Sequence, residues 1–134
     1  MAKAPGRPKD QAQKVGVLRG AICLRSFGTT VGHEIRKTRP ALVIQNDVGN
    51  RYSPLTIVAA ITSTVSPVPY PVEVIVSPTA GNGLDVRSSI RLDQIRAVDR
   101  LCLVRRLGVV DDATMAKVDE ALTISLGLTN LEPR

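Results

Sequence analysis

Tryptophan is absent from this sequence, and Phe27, Tyr52 and Tyr70 are its only aromatic residues. Recognition through a cage of several rings is excluded, so any flat ligand must be met by hydrogen bonds, by arginine planes or by one ring, of which Phe27 is the best placed. Histidine occurs once, at His33, and cysteine twice, at Cys23 and Cys102. These are too few soft ligands for a zinc site of ordinary spacing, so any catalysis is expected to manage without protein-bound zinc, and no cofactor is expected. The cysteines lie far apart and each sits inside an apolar stretch, which predicts buried thiols in a reducing compartment rather than a disulfide. No apolar run approaches the roughly 20 residues that span a bilayer. The opening MAKAPGRPKDQAQK has positive charges but no hydrophobic segment after them, so a soluble, cytoplasmic protein with no membrane partner is expected.

What remains is a chain of 134 residues, 43% hydrophobic and 22% charged, the size and balance of one domain with one core. Its net charge of +6 is unevenly spread. Residues 1–14 carry Lys3, Arg7, Lys9 and Lys14 against Asp10 in a segment rich in Pro, Gly, Gln and Ala, which reads as a disordered basic arm ahead of a domain spanning 15–134. From Val15 to Leu107 there are twelve basic residues, all arginine except Lys37, against six acids, whereas Gly108 to Arg134 holds two basic and five acidic residues. The guanidinium fork suits phosphate oxygens better than a lysine point charge does, so the middle of the chain favours a nucleic acid or an acidic peptide.

Along the chain, Val15 to Leu24 alternates loosely, with Ile22 and Leu24 on one face and Ala21 and Cys23 on the other, and predicts a strand covered on both sides. Ser26 to Pro40 has no apolar period and reads as a long, functional loop. ALVIQN and LTIVAAIT are β-branched runs separated by DVGNRYSP, which predicts two core strands joined by a turn. VEVIVS is a further strand, and VRSSIRLDQIRAV places Val86, Ser88, Ile90 and Leu92 on one face. Asp111 or Asp112 can cap a helix whose stripe is Met115, Val118, Leu122 and Leu126, ending near Gly127. Four or five short strands closed by a C-terminal helix predict a mainly β fold, a small SH3-like barrel with helical additions.

Five segments in order, RGAICL, GHEIRKTRPALVIQN, SPLTIVAAITS, DQIRAVDRLCL and MAKVDEALTISLGL, together resemble the MazF/PemK toxins from about Arg19 to Leu128. The resemblance implies an SH3-like barrel, a homodimer, cleavage of single-stranded RNA, and inhibition by a cognate antitoxin of the MazE kind, whose acidic tail would occupy the basic groove. It also places catalytic roles on Arg39 and Thr62. The chain departs from the family at Ala21, where an acid is usual, at Ile35, Arg36 and Lys37, where glycines are frequent, and in its basic arm.

RNA is cut without a metal when its 2′-OH attacks the adjacent phosphorus, leaving a 2′,3′-cyclic phosphate and a 5′-hydroxyl. The enzyme must align the groups, neutralise charge and move protons. Arg39, where the basic loop meets ALVIQN, suits charge neutralisation, and Pro40 fixes the backbone after it. Thr62 ends the run IVAAIT, where a hydroxyl can bond the scissile phosphate. Arginine is a poor base, so a His33–Glu34 pair is the candidate for the 2′-OH proton. Glu34, Asn46, Ser63 and Gln94 are candidates for reading base edges, and Phe27 for stacking. Two other readings compete. A toxin of the same barrel that binds DNA gyrase without catalysis depends on a tryptophan near its C-terminus, whereas this chain ends TNLEPR. A plain nucleic-acid-binding regulator fits the charge, but no helix-turn-helix or zinc signature accompanies it.

Overall fold

A computed structural model describes residues 16–27 and 37–129. Six strands, β1 (Ala21–Ser26), β2 (Thr38–Val43), β3 (Leu55–Thr62), β4 (Glu73–Val76), β5 (Ser88–Asp99) and β6 (Leu103–Val109), form one sheet in the order β4-β5-β3-β2-β1-β6. Every pairing is antiparallel. Between β2 and β3 lies a short helix α1 (Asp47–Tyr52), before β6 a 3₁₀ turn (Arg100–Cys102), and after β6 the helix α2 (Asp112–Ser125).

The sheet buries both faces, as the alternation in β1 predicts. Ile22, Leu42, Ala59, Ile61, Ile90 and Leu92 face the larger cluster, which α2 covers with Val118 and Ala121. Ala21, Cys23, Ala41, Val43, Val58, Val98 and Leu103 face a smaller one on the opposite side. Curling brings the sheet's ends together without a closing ladder: the loop after β4 meets β6, where Val109 N donates to the Gly81 carbonyl at 2.8 Å. The barrel is thus an open, curled sheet sealed by a loop. A Cβ at Gly108 would strike the backbone of Gly81 and Asn82, and one at Gly83, whose φ is +71°, would strike the Leu107 carbonyl. Contact this close needs glycine on both sides of the seam.

Four local expectations are corrected. DVGNRYSP is not a turn but α1, because Asn46 caps it by accepting from Gly49 N at 2.7 Å and Asn50 ties it to the sheet. Asn50, only 2% exposed, accepts from Thr56 Oγ1 at 2.6 Å and Gln45 Nε2 at 3.0 Å, while its carbonyl takes a bond from buried Arg100. Among the described residues the strands number six, since LVRRLGV also pairs; its exposed arginines hid a strand that is held by β1 rather than by burial. Finally, β2 starts at Thr38, inside the segment that reads as loop. Val86 is exposed and lies before β5 rather than on its buried face.

The C-terminal helix follows its signals. Asp111 accepts from Thr114 N at 2.8 Å, and Gly127 turns the chain at φ +71°, with Leu128 N donating to the Thr123 carbonyl at 2.8 Å. Met115, Val118 and Leu122 pack inward, whereas Leu126 is past the last turn and exposed. Arg19 joins both helices to the sheet, donating from Nε to the Ile44 carbonyl at 2.9 Å and pairing with Asp119 at 2.6 Å, while its backbone N–H meets Asp47. Cys23 is buried and Cys102 half-buried, and both are free thiols. No helix of the described residues is long and apolar enough to cross a membrane.

A candidate nucleic-acid site where two strands part

The β2–β3 ladder runs from Val43↔Val58 to Ala41↔Ala60 and stops there. Proline explains where it stops. The Val43 carbonyl accepts from Gly20 N on the β1 side, while Ile44 N donates to the Ile57 carbonyl on the β3 side. By alternation the amide of residue 40 also faces β3, and Pro40 has no N–H to give. Pairing with β1 continues regardless, through Leu24↔Pro40 and Arg25↔Arg39, and β3 stays paired with β5 as far as Thr62↔Ser89. The strands therefore part just beyond Ala41 and Ala60, and a pocket of about 480 Å³ opens between them.

That pocket is lined by Arg39, Pro40 and Ala41 from β2, by Val58, Ala60, Ile61 and Thr62 from β3, by Gln94, Ile95 and Arg96 from β5, and by Arg25 and Phe27. Carried two residues past Ala41↔Ala60, the register sets Arg39 across from Thr62. Spacing alone cannot make that juxtaposition, which comes from the hairpin built on α1. Gln94 is delivered by a bulge: β3 pairs Ala59 with Ile95 but Ala60 with Arg91, so Leu92, Asp93 and Gln94 are left without partners on that side. Bulges re-aim side chains in this way. The bulge is held from behind, where Leu92 N donates to the Val72 carbonyl and Ser125 Oγ to the Leu92 carbonyl.

Of the residues singled out in the sequence, Arg39, Thr62, Phe27 and Gln94 meet here. Asn46 stands outside the pocket lining and its side-chain oxygen is engaged as the α1 cap. Ser63 is exposed just past the end of β3 and does not line the pocket. His33 and Glu34 lie outside the described residues. Two residues were missed, Arg25 and Arg96. Each had a period-2 signal: Arg25 continues the Ala21–Cys23 face and Arg96 follows Gln94 by two.

The electrostatics are one-sided. Among the described residues the ion pairs are those of Arg19 with Asp119 and of Arg91 with Glu73 and Asp93, so none of the pocket's three arginines is paired with a carboxylate. The Arg25 guanidinium lies 4.1 Å from the centre of the Phe27 ring. Burial, and then the charge of Arg96, lower its pKa. Thr62 Oγ1 accepts from Thr64 N at 3.2 Å, which leaves its O–H available as a donor. The pocket offers cations, a hydroxyl donor and an amide around an apolar floor, a set suited to a phosphate with an unpaired base beside it.

Known proteins resemble this chain in sequence and in fold. Residues 18–126 match the family described as "PemK-like, MazF-like toxin of type II toxin-antitoxin system". The chain is 44% identical over 112 residues to "Endoribonuclease EndoA" of Bacillus subtilis (strain 168), covering 84% of this chain and 96% of that protein. It is 40% identical over 116 residues to "Endoribonuclease MazF" of Staphylococcus epidermidis, covering 87% and 96%. Among solved structures it is similar to an endoribonuclease in complex with its cognate antitoxin from Mycobacterial species, with TM-score 0.70 and 26% identity over 85% of this chain and 98% of that one. It also resembles MazE-MazF (Form-II) from Deinococcus radiodurans, with TM-score 0.66 and 26% identity over 84% and 96%. A family match over most of the chain, with relatives 40–44% identical over almost their whole length, is decisive: the chain belongs to the PemK-like, MazF-like toxins of type II toxin-antitoxin systems.

Proposed function

We propose that this protein is the toxin of such a system, a cytoplasmic, sequence-selective endoribonuclease that cuts single-stranded RNA without a metal. The observation that carries the reading is the meeting of Arg39 and Thr62 in one arginine-rich pocket with no acid among its described lining residues, in a chain 40–44% identical to named endoribonucleases. The 2′-oxygen attacks phosphorus, the bond from phosphorus to the 5′-oxygen breaks, and the products are a 2′,3′-cyclic phosphate and a 5′-hydroxyl. Arg39 neutralises the charge that builds on the non-bridging oxygens, and the Thr62 hydroxyl donates to one of them. Such fixed donors act without reorganisation during the reaction, which is the source of their effect. His33 beside Glu34 takes the 2′-OH proton, and a proton passes to the departing 5′-oxygen. Gln94 reads a base edge, and the Phe27 ring with its arginine supports a base.

The partners follow from the family. A second copy of the chain forms a homodimer, and an antitoxin with an acidic, partly disordered tail binds the same arginine surface and blocks it, ordering as it binds. The relatives crystallised as "MazE-MazF" and "with its cognate antitoxin" support this partner class.

The test is cleavage of a mixed-sequence single-stranded RNA in EDTA by wild type and Arg39→Ala, with the new ends identified chemically. Cuts at one short sequence, cyclic-phosphate ends, and a loss of about 10²-fold or more in Arg39→Ala are expected. Folded, antitoxin-free wild type that leaves every RNA intact sinks the reading.

A further inference from the structure

Arg25 and Arg39 are direct cross-strand partners in β1 and β2, and both line the pocket, with Arg96 completing a trio. Like charges placed opposite each other on one sheet face destabilise the fold, and among the described residues no carboxylate pairs with any of the three. The arrangement therefore stores repulsion that a bound anion relieves. Arg25 is also held in place before any ligand arrives. Its guanidinium lies over Phe27 at 4.1 Å, and its Nε is buried with no hydrogen-bond partner. A buried guanidinium N–H without an acceptor is costly, and Arg25 is among the residues that line the pocket.

Resting on the ribonuclease reading above, we propose that Arg25 is a second phosphate-binding residue of this pocket, holding an RNA phosphate next to the one bound by Arg39. Stacking on Phe27 fixes the plane of the guanidinium, so that its fork is presented to the anion with little entropy left to lose. RNA is favoured over an acidic peptide because a hydroxyl, an amide and a ring surface share the site with the cations, and a peptide carboxylate needs none of these. The role is positioning: Arg25 sets the register of the strand so that the neighbouring phosphate reaches Arg39 and Thr62.

The experiment measures binding of a mixed-sequence 2′-O-methyl oligonucleotide, which has no 2′-OH to attack, to the full chain across a series of salt concentrations. Wild type, Arg25→Met and Arg25→Lys are compared, each checked for a cooperative thermal transition no lower than that of the wild type. Loss of one phosphate contact should lower the slope of log affinity against log salt by about 0.7 in Arg25→Met, with affinity about tenfold weaker. Arg25→Lys should restore the slope while recovering only part of the affinity, because charge returns without the stacked plane. An unchanged slope in Arg25→Met overturns the proposal even if affinity falls, since a purely structural arginine would act that way. So does an unchanged slope accompanied by weaker binding of a short polyglutamate peptide, which would give Arg25 to a protein partner. Wild type that neither binds the oligonucleotide nor cuts RNA overturns the ribonuclease reading, and this proposal with it.

Discussion

Pro40 and Thr62 show how much single residues decide here. A strand-interior proline removes a ladder bond and is usually confined to edges. In β2 it marks where the ladder to β3 ends, and that missing bond makes room for the pocket. Thr62 stands on the other lip, its oxygen already accepting from Thr64 N, so its useful chemistry is the remaining O–H. Thr62→Val keeps the β-branched shape and removes the donor. It is expected to lower kcat for RNA cleavage by about tenfold to a hundredfold with KM little changed, and Thr62→Ser should retain most of the rate. Rapid single-turnover cleavage by Thr62→Val at the wild-type rate would remove the hydroxyl from the chemistry. The two thiols differ in the same residue-level way. Burial pushes Cys23 up to about 11, with Arg106 pulling weakly the other way, which fits the expectation of an inert buried cysteine.

At the scale of elements, the seam between β6 and the loop after β4 holds the curled sheet in shape. It consists of one backbone bond and two glycines whose missing side chains let backbone touch backbone. Gly108→Val is expected to force the loop away and to destabilise the fold by about 3 kcal/mol, read as a lower urea midpoint. A midpoint within error of wild type would mean that the seam is slack. Glycine at this position was not interpretable in the sequence, because its reason is a neighbour 27 residues earlier in the chain. The helix α2, by contrast, was legible from a cap at Asp111 or Asp112, of which the structure uses Asp111, to its stop at Gly127, since capping and periodicity are local properties. DVGNRYSP misled for the opposite reason: its Gly and Pro satisfy a turn, but the cap on Asn46 and the long-range bonds to Asn50 favour a helix. LVRRLGV shows no apolar alternation, so only its partner β1 reveals it as a strand.

At the scale of the whole molecule, charge among the described residues is separated into a pocket whose lining holds no acid and a buried ionic anchor on the other side of β5. Glu73 is buried, and its carboxylate accepts from Tyr70 N at 2.8 Å, Ser66 Oγ at 3.1 Å and Ser89 Oγ at 3.3 Å, with Arg91 at 3.2 Å. These partners, led by the Tyr70 amide, hold its pKa below the ordinary carboxylate value, and the guanidinium of Arg91 does the same for Asp93. A folded pKa below the unfolded one gives stability that is complete above the unfolded value of about 4.3 and is lost as pH falls through the folded value. The urea midpoint should therefore drop as pH is lowered from about 5 towards 3. Glu73→Gln should cost about 2 kcal/mol at neutral pH and flatten that drop. An equally steep acid dependence in Glu73→Gln would place the titrating groups elsewhere.

The sequence by itself determined the two-faced sheet, the C-terminal helix, the basic character of the middle of the chain, and, through five ordered segments, the family. These rest on short-range periodicity, on capping and on composition, which a linear reading contains. Only the tertiary structure decided that Arg39 and Thr62 line one pocket, that Gln94 reaches it on a bulge, that Asn46 is engaged as a helix cap outside it, and that Arg25 and Arg96 join its lining. Each of those facts is a matter of register between strands distant in sequence, and register is fixed by which hydrogen bonds and buried faces can be satisfied together.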